Sequence, residues 1–356
     1  MMTKKAQCFD DVLLVPTYTT VLSRTEPVIK TKVGRLELDV PLISSPMDTV
    51  TDANMIIKMS ELGGTGVLHR FYSDFDYDKE LNKLREKKIF SLHKDHKDEK
   101  FNFSVSVGAD KKSLDIIERY SDYIDSITID LANGHSSIIV DQIKRIKGLM
   151  PNANLIAGNV ATGEGFRFLS DLGVDAVRVG IGGGSICKTR IMTGFGLPTL
   201  YSVIDCYNTK RKYNLSASII ADGGIRYPSD LVKSIVGGAD AVMCGGIFAK
   251  TFESAGQVIY DDKTHTHYKY YRGMASEEVQ NELRGGMKEG TCAEGVQHKI
   301  KVNDNLKDVI DELSGGLKSA MTYCNARNLE ELRRNAKFKL VTYSSLSESH
   351  AYGTRR

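Results

Sequence analysis

A repeating order of apolar and helical segments constrains the fold of this chain more than any other feature. Eight short apolar segments are each followed by a stretch with helical character. Segments so uniformly apolar are typical of parallel strands that are buried on both faces. Eight such units in succession predict an α/β fold of the (β/α)8 TIM-barrel type rather than an open, doubly wound sheet. The predicted strands are residues 40–45, 66–71, 103–108, 126–132, 155–161, 176–181, 218–224 and 241–246.

Polar residues and glycines follow nearly every predicted strand. Because chemistry in this fold takes place at the carboxyl ends of the strands, these residues predict a small-molecule site there. The loops after the seventh and eighth strands, ADGGI and CGGIFA, occupy the usual phosphate-binding position of such barrels. Asp222 in the first of these loops suits a ribose diol, and a helix N-cap is the alternative explanation.

The stretch VGIGGGSICKTR, residues 179–190, has the strongest chemical signature. Consecutive glycines after an apolar strand allow a sharp bend or a close approach of the backbone to a ligand. The loop presents Cys187, followed closely by Thr189 and Arg190. A thiol becomes a good nucleophile when nearby groups favour loss of its proton. A buried structural cysteine behind a tight turn is the alternative.

Composition excludes several other classes of protein. A net charge of +3 over 356 residues gives no argument for nucleic-acid or membrane binding. No apolar run approaches the length of a membrane span, and the start of the chain has too short an apolar run for a secretory signal. The cysteines show no zinc-binding spacing. We therefore expect a cytoplasmic protein. The cysteines are Cys8, Cys187, Cys206, Cys244, Cys292 and Cys324.

We expect one domain over residues 1–356, with segments added to the barrel. Residues 1–39 form a predicted N-terminal arm of extended pieces, and residues 340–356 a C-terminal tail. After the eighth unit, a predicted hairpin turns at residues 261–263 and leads into a glycine-rich, charged flap, so that residues 257–300 form a candidate lid. A helix is predicted over residues 305–324. The histidines at 265 and 267 are predicted to be exposed, and those at 93 and 96 to lie in a solvated loop.

Several motifs together resemble the IMP dehydrogenase and GMP reductase family. They are FDDVLLVP, SSPMDTVTD, AGNVATGE, VGIGGGSICKTR, ADGGI, YYRGMAS and AEG. The resemblance runs from Phe9 to about residue 340 and implies a (β/α)8 barrel, usually assembled as a homotetramer. It also implies that a cysteine attacks C2 of a purine nucleoside monophosphate while a nicotinamide cofactor exchanges a hydride with that substrate.

Within the family, the flap resembles that of the reductases. Residues 275–300 lack the Arg-Tyr pair with which the dehydrogenases activate water, since Arg284 is followed by Gly285. No regulatory insert follows the second unit, and DLANG and the Thr193-Gly194 pair are similar to the reductases. In contrast, SSPMDTVTD, GGTGVLHRF and SESHAYG are closer to the dehydrogenases. The resemblance therefore implies NADPH-dependent conversion of GMP to IMP and ammonia.

The resemblance also implies a set of site residues. The catalytic residues would be Cys187, Thr189 and Glu294. The substrate would be bound by Ser185, Asp222, Gly223, Gly224, Gly245, Gly246, Gly273, Met274, Ala275, Ser276 and Gly295. The cofactor would be bound by Ser23, Arg24, Arg70, Asp130, Leu131, Ala132, Ile181 and Gly182, with the arginines suited to a 2′-phosphate or equally explained as surface residues. A monovalent cation, K⁺, would be bound by Gly182, Gly184, Cys187 and Arg190.

Three departures from the family pattern leave alternatives open. Lys188 and Gly183 replace the usual threonine and proline, and Thr291 stands where reductases usually have an arginine. One alternative is an IMP dehydrogenase without regulatory modules, in which Arg284 or Lys288 activates water to convert IMP to XMP with NAD. Another is a nucleotide-binding barrel without catalytic activity.

Overall fold

The computed structural model describes residues 5–91, 101–283 and 285–349. The histidines at 93 and 96 and Arg284 lie outside the described residues. The strands are β1 Val12–Leu14, β2 Thr31–Val33, β3 Leu36–Leu38, β4 Leu42–Ser44, β5 Thr65–Gly66, β6 Ser104–Val107, β7 Ser126–Asp130, β8 Asn154–Val160, β9 Ala176–Val179, β10 Ser218–Asp222, β11 Ala241–Cys244, β12 Ile259–Asp261, β13 Thr266–Arg272, β14 Gln297–Lys301 and β15 Phe338–Leu340. The helices are α1 Ala53–Glu61, α2 Asp74–Ser91, α3 Lys111–Tyr120, α4 Ile138–Leu149, α5 Gly163–Asp171, α6 Thr189–Thr193, α7 Thr199–Tyr213, α8 Pro228–Gly237, α9 Gly246–Ala249, α10 Glu277–Leu283, α11 Leu306–Thr322, α12 Leu329–Asn335 and α13 Tyr343–Glu348.

Eight parallel strands, β4 to β11, form the barrel that the repeat predicted. Their order is β5-β4-β11-β10-β9-β8-β7-β6, so each strand lies beside its neighbour in sequence except at the β4–β11 contact that closes the circle. The remaining gap, between β5 and β6, is bridged by Leu68. Its N–H donates to Ser104 O at 3.0 Å, and its carbonyl accepts from Ser106 N at 2.8 Å. The barrel is therefore closed all the way round.

The second strand is the least accurate of the strand predictions. The apolar run at residues 66–71 predicts a strand, but β5 covers only Thr65–Gly66. Beyond β5, the pairing with β6 is limited to the single bridge at Leu68. The side chains that follow are buried all the same, because His69 is only 2% exposed. Burial explains the apolar pattern here without a continuous strand.

Helices α1 and α5 begin where the sequence has capping residues, and a glycine follows the end of α1. The Asp52 carboxylate accepts from Met55 N at the start of α1, and Gly63 (φ +84°) follows its end. Similarly, the Thr162 hydroxyl accepts from Gly165 N at the start of α5. Both helices bury an apolar face against the barrel, as Met55, Ile56, Phe166 and Leu169 are fully buried.

The eighth helix differs from the prediction. The helical stretch predicted after the eighth apolar segment comprises residues 247–256, IFAKTFESAG, but α9 ends at Ala249. Instead, α11 packs against α8 and α9 and completes the outer ring. The chain between α9 and α11 contains the predicted hairpin, β12–β13, to which β14 adds a third antiparallel strand that was not predicted. The insertion therefore lies inside the eighth unit rather than after it.

The N-terminal segment packs on the end of the barrel where the strands begin. β2 and β3 form an antiparallel hairpin that the sequence did not predict, and Val33 and Leu38 on it are buried. They join a cluster with Ile43, Ile156 and Ile220 from the barrel strands. This apolar plug closes the amino-terminal end of the strands, so the opposite end is the open one. β1 pairs with β15 and ties the arm to the end of the chain.

Candidate active site

A cavity of about 910 Å³ opens at the carboxyl ends of the barrel strands. Most of the residues that the resemblance implies line it. They are Arg70, Asp130, Leu131, Ala132, Ile181, Gly182, Gly184, Ser185, Cys187, Thr189, Arg190, Asp222, Gly223, Gly224, Gly245, Gly246, Gly273, Met274, Ala275, Glu294 and Gly295. Three others, Ser23, Arg24 and Ser276, do not line it. Loops from six barrel strands and from the flap thus converge on one site.

The cysteine loop is held in place by close backbone contacts and by the flap. A Cβ on Gly180 (φ +149°) would lie 2.0 Å from the Asp222 carbonyl, so only glycine fits there. Cys187 pairs with Gly295 in an antiparallel bridge. On either side of it, Lys188 N donates to Glu294 O at 2.7 Å and Val296 N donates to Ile186 O at 3.1 Å. The segment that carries Glu294 is therefore fixed to the loop.

Three side chains form a continuous hydrogen-bonded chain at the centre of the cavity. The Cys187 thiol donates to Thr189 Oγ1 at 3.2 Å, and that hydroxyl donates to Glu294 Oε2 at 2.7 Å. Cys187 is a free, half-buried cysteine that faces the cavity. Such a chain can move a proton between the sulfur and the carboxylate in either direction. The arrangement suits a thiolate nucleophile with a proton source beside it.

One end of the cavity is tightly packed, and we call it the Tyr271 end. It is formed by Ser185, Gly223, Gly224, Gly245, Gly246 and Tyr271. A Cβ on Gly245 would lie 2.8 Å from the Tyr271 hydroxyl, and one on Gly246 would lie 3.1 Å from Ser185 Oγ. Burial raises the pKa of Tyr271 above its ordinary value, so its hydroxyl stays protonated and can donate. Sequence reasoning did not assign Tyr271, although it belongs to the quoted motif YYRGMAS.

Arg178 is a second functional residue that the sequence analysis missed. Its guanidinium donates to Asp130 Oδ1 at 2.6 Å and to Asp222 Oδ2 at 2.8 Å. Asn159 also donates to Asp222 Oδ2, at 2.7 Å. Burial lowers the pKa of Arg178, but the two carboxylates outweigh it and raise the pKa above the ordinary value, so the side chain is always charged. The available signal was a single arginine inside the apolar strand AVRVGI.

We call the opposite end of the cavity the Asp130 end. It is lined by Arg70, Asp130, Leu131 and Ala132. Arg70 lies over the Phe71 ring at 4.3 Å, and its Nε is buried without a hydrogen-bond partner among the described residues. An unsatisfied guanidinium nitrogen in a cavity wall is a group that an anionic ligand could satisfy.

Ser23, Arg24 and Ser276 lie elsewhere. Ser23 belongs to the arm, where its hydroxyl contacts Thr25 Oγ1 at 2.7 Å, and Arg24 next to it is exposed. Ser276 is fully buried, and its hydroxyl accepts from Val279 N in the first turn of α10. Within one chain, these three residues do not join the others.

His69, His265 and His267 lie outside the lining of the cavity, whereas His298 belongs to it. Burial lowers the pKa of His69 to about 3, and its Nδ1 accepts from Phe71 N, so its ring is neutral at pH 7. His265 and His267 are exposed, as predicted. Over the described ranges, no group of three or more His, Cys, Asp or Glu side chains could hold a metal ion. In the same ranges, no helix is long and apolar enough to cross a membrane.

Comparison with known proteins agrees with this geometry. The family described as "IMP dehydrogenase / GMP reductase domain" matches residues 6–352. An inosine-5′-monophosphate dehydrogenase of Borreliella burgdorferi is 36% identical, over 99% of this chain and 98% of the relative. Proteins of the same name from Cryptosporidium parvum and Aquifex aeolicus are 35% and 30% identical, each over 98% of this chain and over 95% and 96% of their own lengths. The chain is therefore a barrel of an oxidoreductase family, and it belongs to the IMP dehydrogenase / GMP reductase family.

Proposed function

We propose that this protein is a GMP reductase, which converts GMP to IMP and ammonia with NADPH. The proposal rests on the acid–base groups beside Cys187. Glu294 is linked to Cys187 by hydrogen bonds through Thr189, and the pairing of its main chain with Lys188 fixes it there. Residues 275–300 contain no tyrosine, and their only arginine is followed by glycine. The site is thus equipped to protonate a leaving group, whereas the Arg-Tyr pair that the dehydrogenases use to activate water is missing.

In this proposal, Cys187 loses its proton through Thr189 to Glu294, and its sulfur bonds to C2 of the purine. The exocyclic amine is a poor leaving group until it is protonated, so Glu294 returns a proton through Thr189 and the C2–N bond breaks. The nicotinamide supplies the hydride that ends on C2. The C2–S bond breaks, and the electron pair returns to Cys187 as a thiolate. Overall, GMP, NADPH and two protons become IMP, ammonium and NADP⁺.

The two ends of the cavity fit the two ligands. At the Tyr271 end, Ser185, Gly223, Gly224, Gly245 and Gly246 would hold the 5′-phosphate, with Asp222 on the ribose and Gly273, Met274, Ala275 and Gly295 near the base. At the Asp130 end, Asp130, Leu131, Ala132, Ile181 and Gly182 would hold the cofactor. The unsatisfied Nε of Arg70 supports a phosphate at that end.

A monovalent cation, K⁺, is proposed at the main-chain carbonyls of Gly182, Gly184 and Cys187 beside Arg190. Carbonyl oxygens suit a hard cation, and the positive φ of Gly182 (+81°) turns the chain at this point. The Arg190 guanidinium donates to the Leu197 carbonyl, so that side chain is held by the loop. The test is turnover with K⁺ against turnover with a large organic cation.

We also propose a homotetramer. Large apolar side chains are exposed on the arm and next to the cysteine loop, where Leu22 is 91%, Ile191 83% and Phe195 77% exposed. Large exposed apolar side chains are typical of surfaces that bury against another subunit. Light scattering of the full chain tests the assembly.

The second candidate function is IMP dehydrogenase, which the names of the curated relatives favour. It would share the Cys187 adduct but would need water at C2 in place of the leaving amine. Sequence identity over the whole barrel measures the scaffold that both reactions share. We therefore give more weight to the groups around Cys187.

Two parallel assays separate the candidates. GMP with NADPH should consume the reduced nicotinamide and yield IMP, whereas IMP with NAD⁺ should yield no XMP. Turnover only in the second assay would exclude the reductase. Cys187→Ala should abolish the reaction, since Cys187 is the thiol that is hydrogen-bonded to Thr189 and through it to Glu294. Cys292→Ala, which changes another thiol that lines the same cavity, should not.

A further inference from the structure

Arg272 joins the flap to the barrel through two carboxylates that the proposed reaction does not use. Its Nε donates to Asp48 Oδ2 at 2.7 Å, and its Nη1 donates to Glu282 Oε2 at 2.6 Å. The side chains of Arg272 and Asp48 are 14% and 9% exposed, whereas that of Glu282 is 58% exposed. One ion pair is therefore buried in the barrel rim, and the other faces solvent.

The helix that carries Glu282 needs such an anchor. α10 has seven residues, of which Val279 is the buried one. A helix this short is not stable without tertiary contacts. Gly285, Gly286 and Gly290 follow it with positive φ angles and open space around each. The chain after α10 can therefore bend easily, and the pair with Arg272 fixes the end of the helix that lies before the bend.

Arg272 also lies next to residues that line the cavity. β13 ends at Arg272 and leads directly into Gly273 and Met274, and Gln280 of α10 lines the cavity as well. On the barrel side, Asp48 N lies 3.4 Å from the Met274 sulfur. Arg272 thus sets the position of α10 relative to the rim of the cavity.

We propose that Glu282 is a positioning residue that holds α10 closed over the cavity through Arg272, and that α10 opens by release of Glu282 alone while Arg272 stays on Asp48. The order of release follows from exposure. A solvent-facing ion pair is weak and screened by salt, whereas separating a buried pair leaves an uncompensated charge. The occupant of the closed site, a nucleotide with a nicotinamide cofactor, rests on the proposed function.

Limited proteolysis of the full chain tests the opening without any assumption about the reaction. Trypsin cleavage after Lys288, an exposed residue of the bend, is followed by mass spectrometry. Glu282→Gln should speed this cleavage about twofold to fivefold, as expected for loss of one exposed ion pair. The matched control is Glu277→Gln, an exposed glutamate on the same helix without an ion pair among the described residues. It should cleave at the wild-type rate.

Salt supplies an internal check. High sodium chloride should accelerate cleavage of the wild type more than cleavage of Glu282→Gln, because the variant has no pair left to screen. Equal cleavage rates for wild type and Glu282→Gln, or an equal increase in Glu277→Gln, would overturn the proposal.

Kinetics then separate positioning from loss of structure. Glu282→Gln should raise the KM for the nicotinamide cofactor severalfold, with kcat within about twofold and the thermal unfolding midpoint unchanged. A wild-type KM in spite of faster cleavage would contradict the positioning role. If the proposed reaction itself is absent, the proteolysis result still stands, so the two failures can be told apart.

Discussion

The two ends of the cavity are built in different ways. At the Tyr271 end, a Cβ on Gly245 would lie 2.8 Å from the Tyr271 hydroxyl, and one on Gly223 would lie 3.2 Å from Gly184 N. At the Asp130 end, Arg70 keeps a buried Nε without a partner among the described residues, and the arm residues expected there lie elsewhere. The Tyr271 end is therefore tightly packed as it stands, whereas the Asp130 end keeps an unsatisfied donor that the proposed cofactor would use. The predictions below change residues at one end, or between the two ends, and ask whether the ends respond separately.

Arg178 should break this independence, because it contacts both ends. Its guanidinium spans Asp130 and Asp222 in a fixed fork, which a lysine ammonium cannot reproduce. Arg178→Lys leaves one of the two partly buried carboxylates without its partner, so that Asp130 and Asp222 are no longer held in place together. We expect kcat/KM to fall roughly 30- to 150-fold, or about 2–3 kcal/mol of transition-state binding. We expect the KM values of nucleotide and cofactor to rise together.

The matched control is Arg167→Lys, which changes an exposed arginine that pairs with Asp171 on the outer helix α5. It should leave both KM values unchanged. A rise in only one KM for Arg178→Lys would show that the two ends are not coupled through this side chain.

His69 lies next to Arg70 and accepts a hydrogen bond from Phe71 N, so the chain at the Asp130 end should be sensitive to acid. Burial, with a smaller contribution from Arg272, lowers its pKa from 6.5 to about 3. Between these values the unfolded chain binds a proton that the folded chain does not, so the contribution of neutral His69 is complete above pH 6.5 and is lost as the pH falls. The loss approaches about 1.4 kcal/mol per pH unit.

Urea unfolding of wild type and His69→Gln at about pH 7, 6 and 5 measures this effect, because the first value lies above the unfolded pKa of 6.5 and the other two lie below it. Because glutamine does not titrate, the unfolding free energy of the variant should fall less steeply with acid. Parallel pH profiles for the two proteins would assign the acid sensitivity to other groups.

The sequence predicted the barrel well because its strands are local, uniformly apolar segments. It failed at the eighth helix, where residues 251–255 bend to supply oxygens to the buried Lys269 ammonium. The Lys269 Nζ donates to the carbonyls of Thr251 and Ser254 at 3.1 and 2.8 Å, so these carbonyls are not used in a helix. No local pattern signals that a lysine from the later strand β13 will take those carbonyls.

The candidate site shows the same division. The motif around Cys187 could be recognised because its chemistry lies within a few consecutive residues. Arg178 was missed because its partners, Asp130 and Asp222, are 48 and 44 residues away in the sequence. Side chains that depend on distant partners become identifiable only when the fold brings those partners together.

Tyr271→Phe should affect the Tyr271 end alone. Removing a buried hydroxyl next to Ser185 and Gly245 should raise the KM for the nucleotide about tenfold, or about 1.4 kcal/mol, with the cofactor KM unchanged. Tyr270→Phe is the matched control, since Tyr270 is the next residue on β13 and is 46% exposed. An equal effect of both variants would argue for general damage to the strand.

Arg70→Gln should affect the Asp130 end alone and should give the smallest change. If its unsatisfied Nε donates to the 2′-phosphate of NADPH, the KM for NADPH should rise about threefold to fivefold, which corresponds to the loss of one hydrogen bond worth about 1 kcal/mol. The KM for NADH, which lacks that phosphate, should not change, and neither should the nucleotide KM. Initial rates with the two cofactors therefore provide the control within one variant. Equal increases for NADPH and NADH would place Arg70 against a part that both cofactors share, and the Asp130 end would then bind the cofactor without reading its 2′-phosphate.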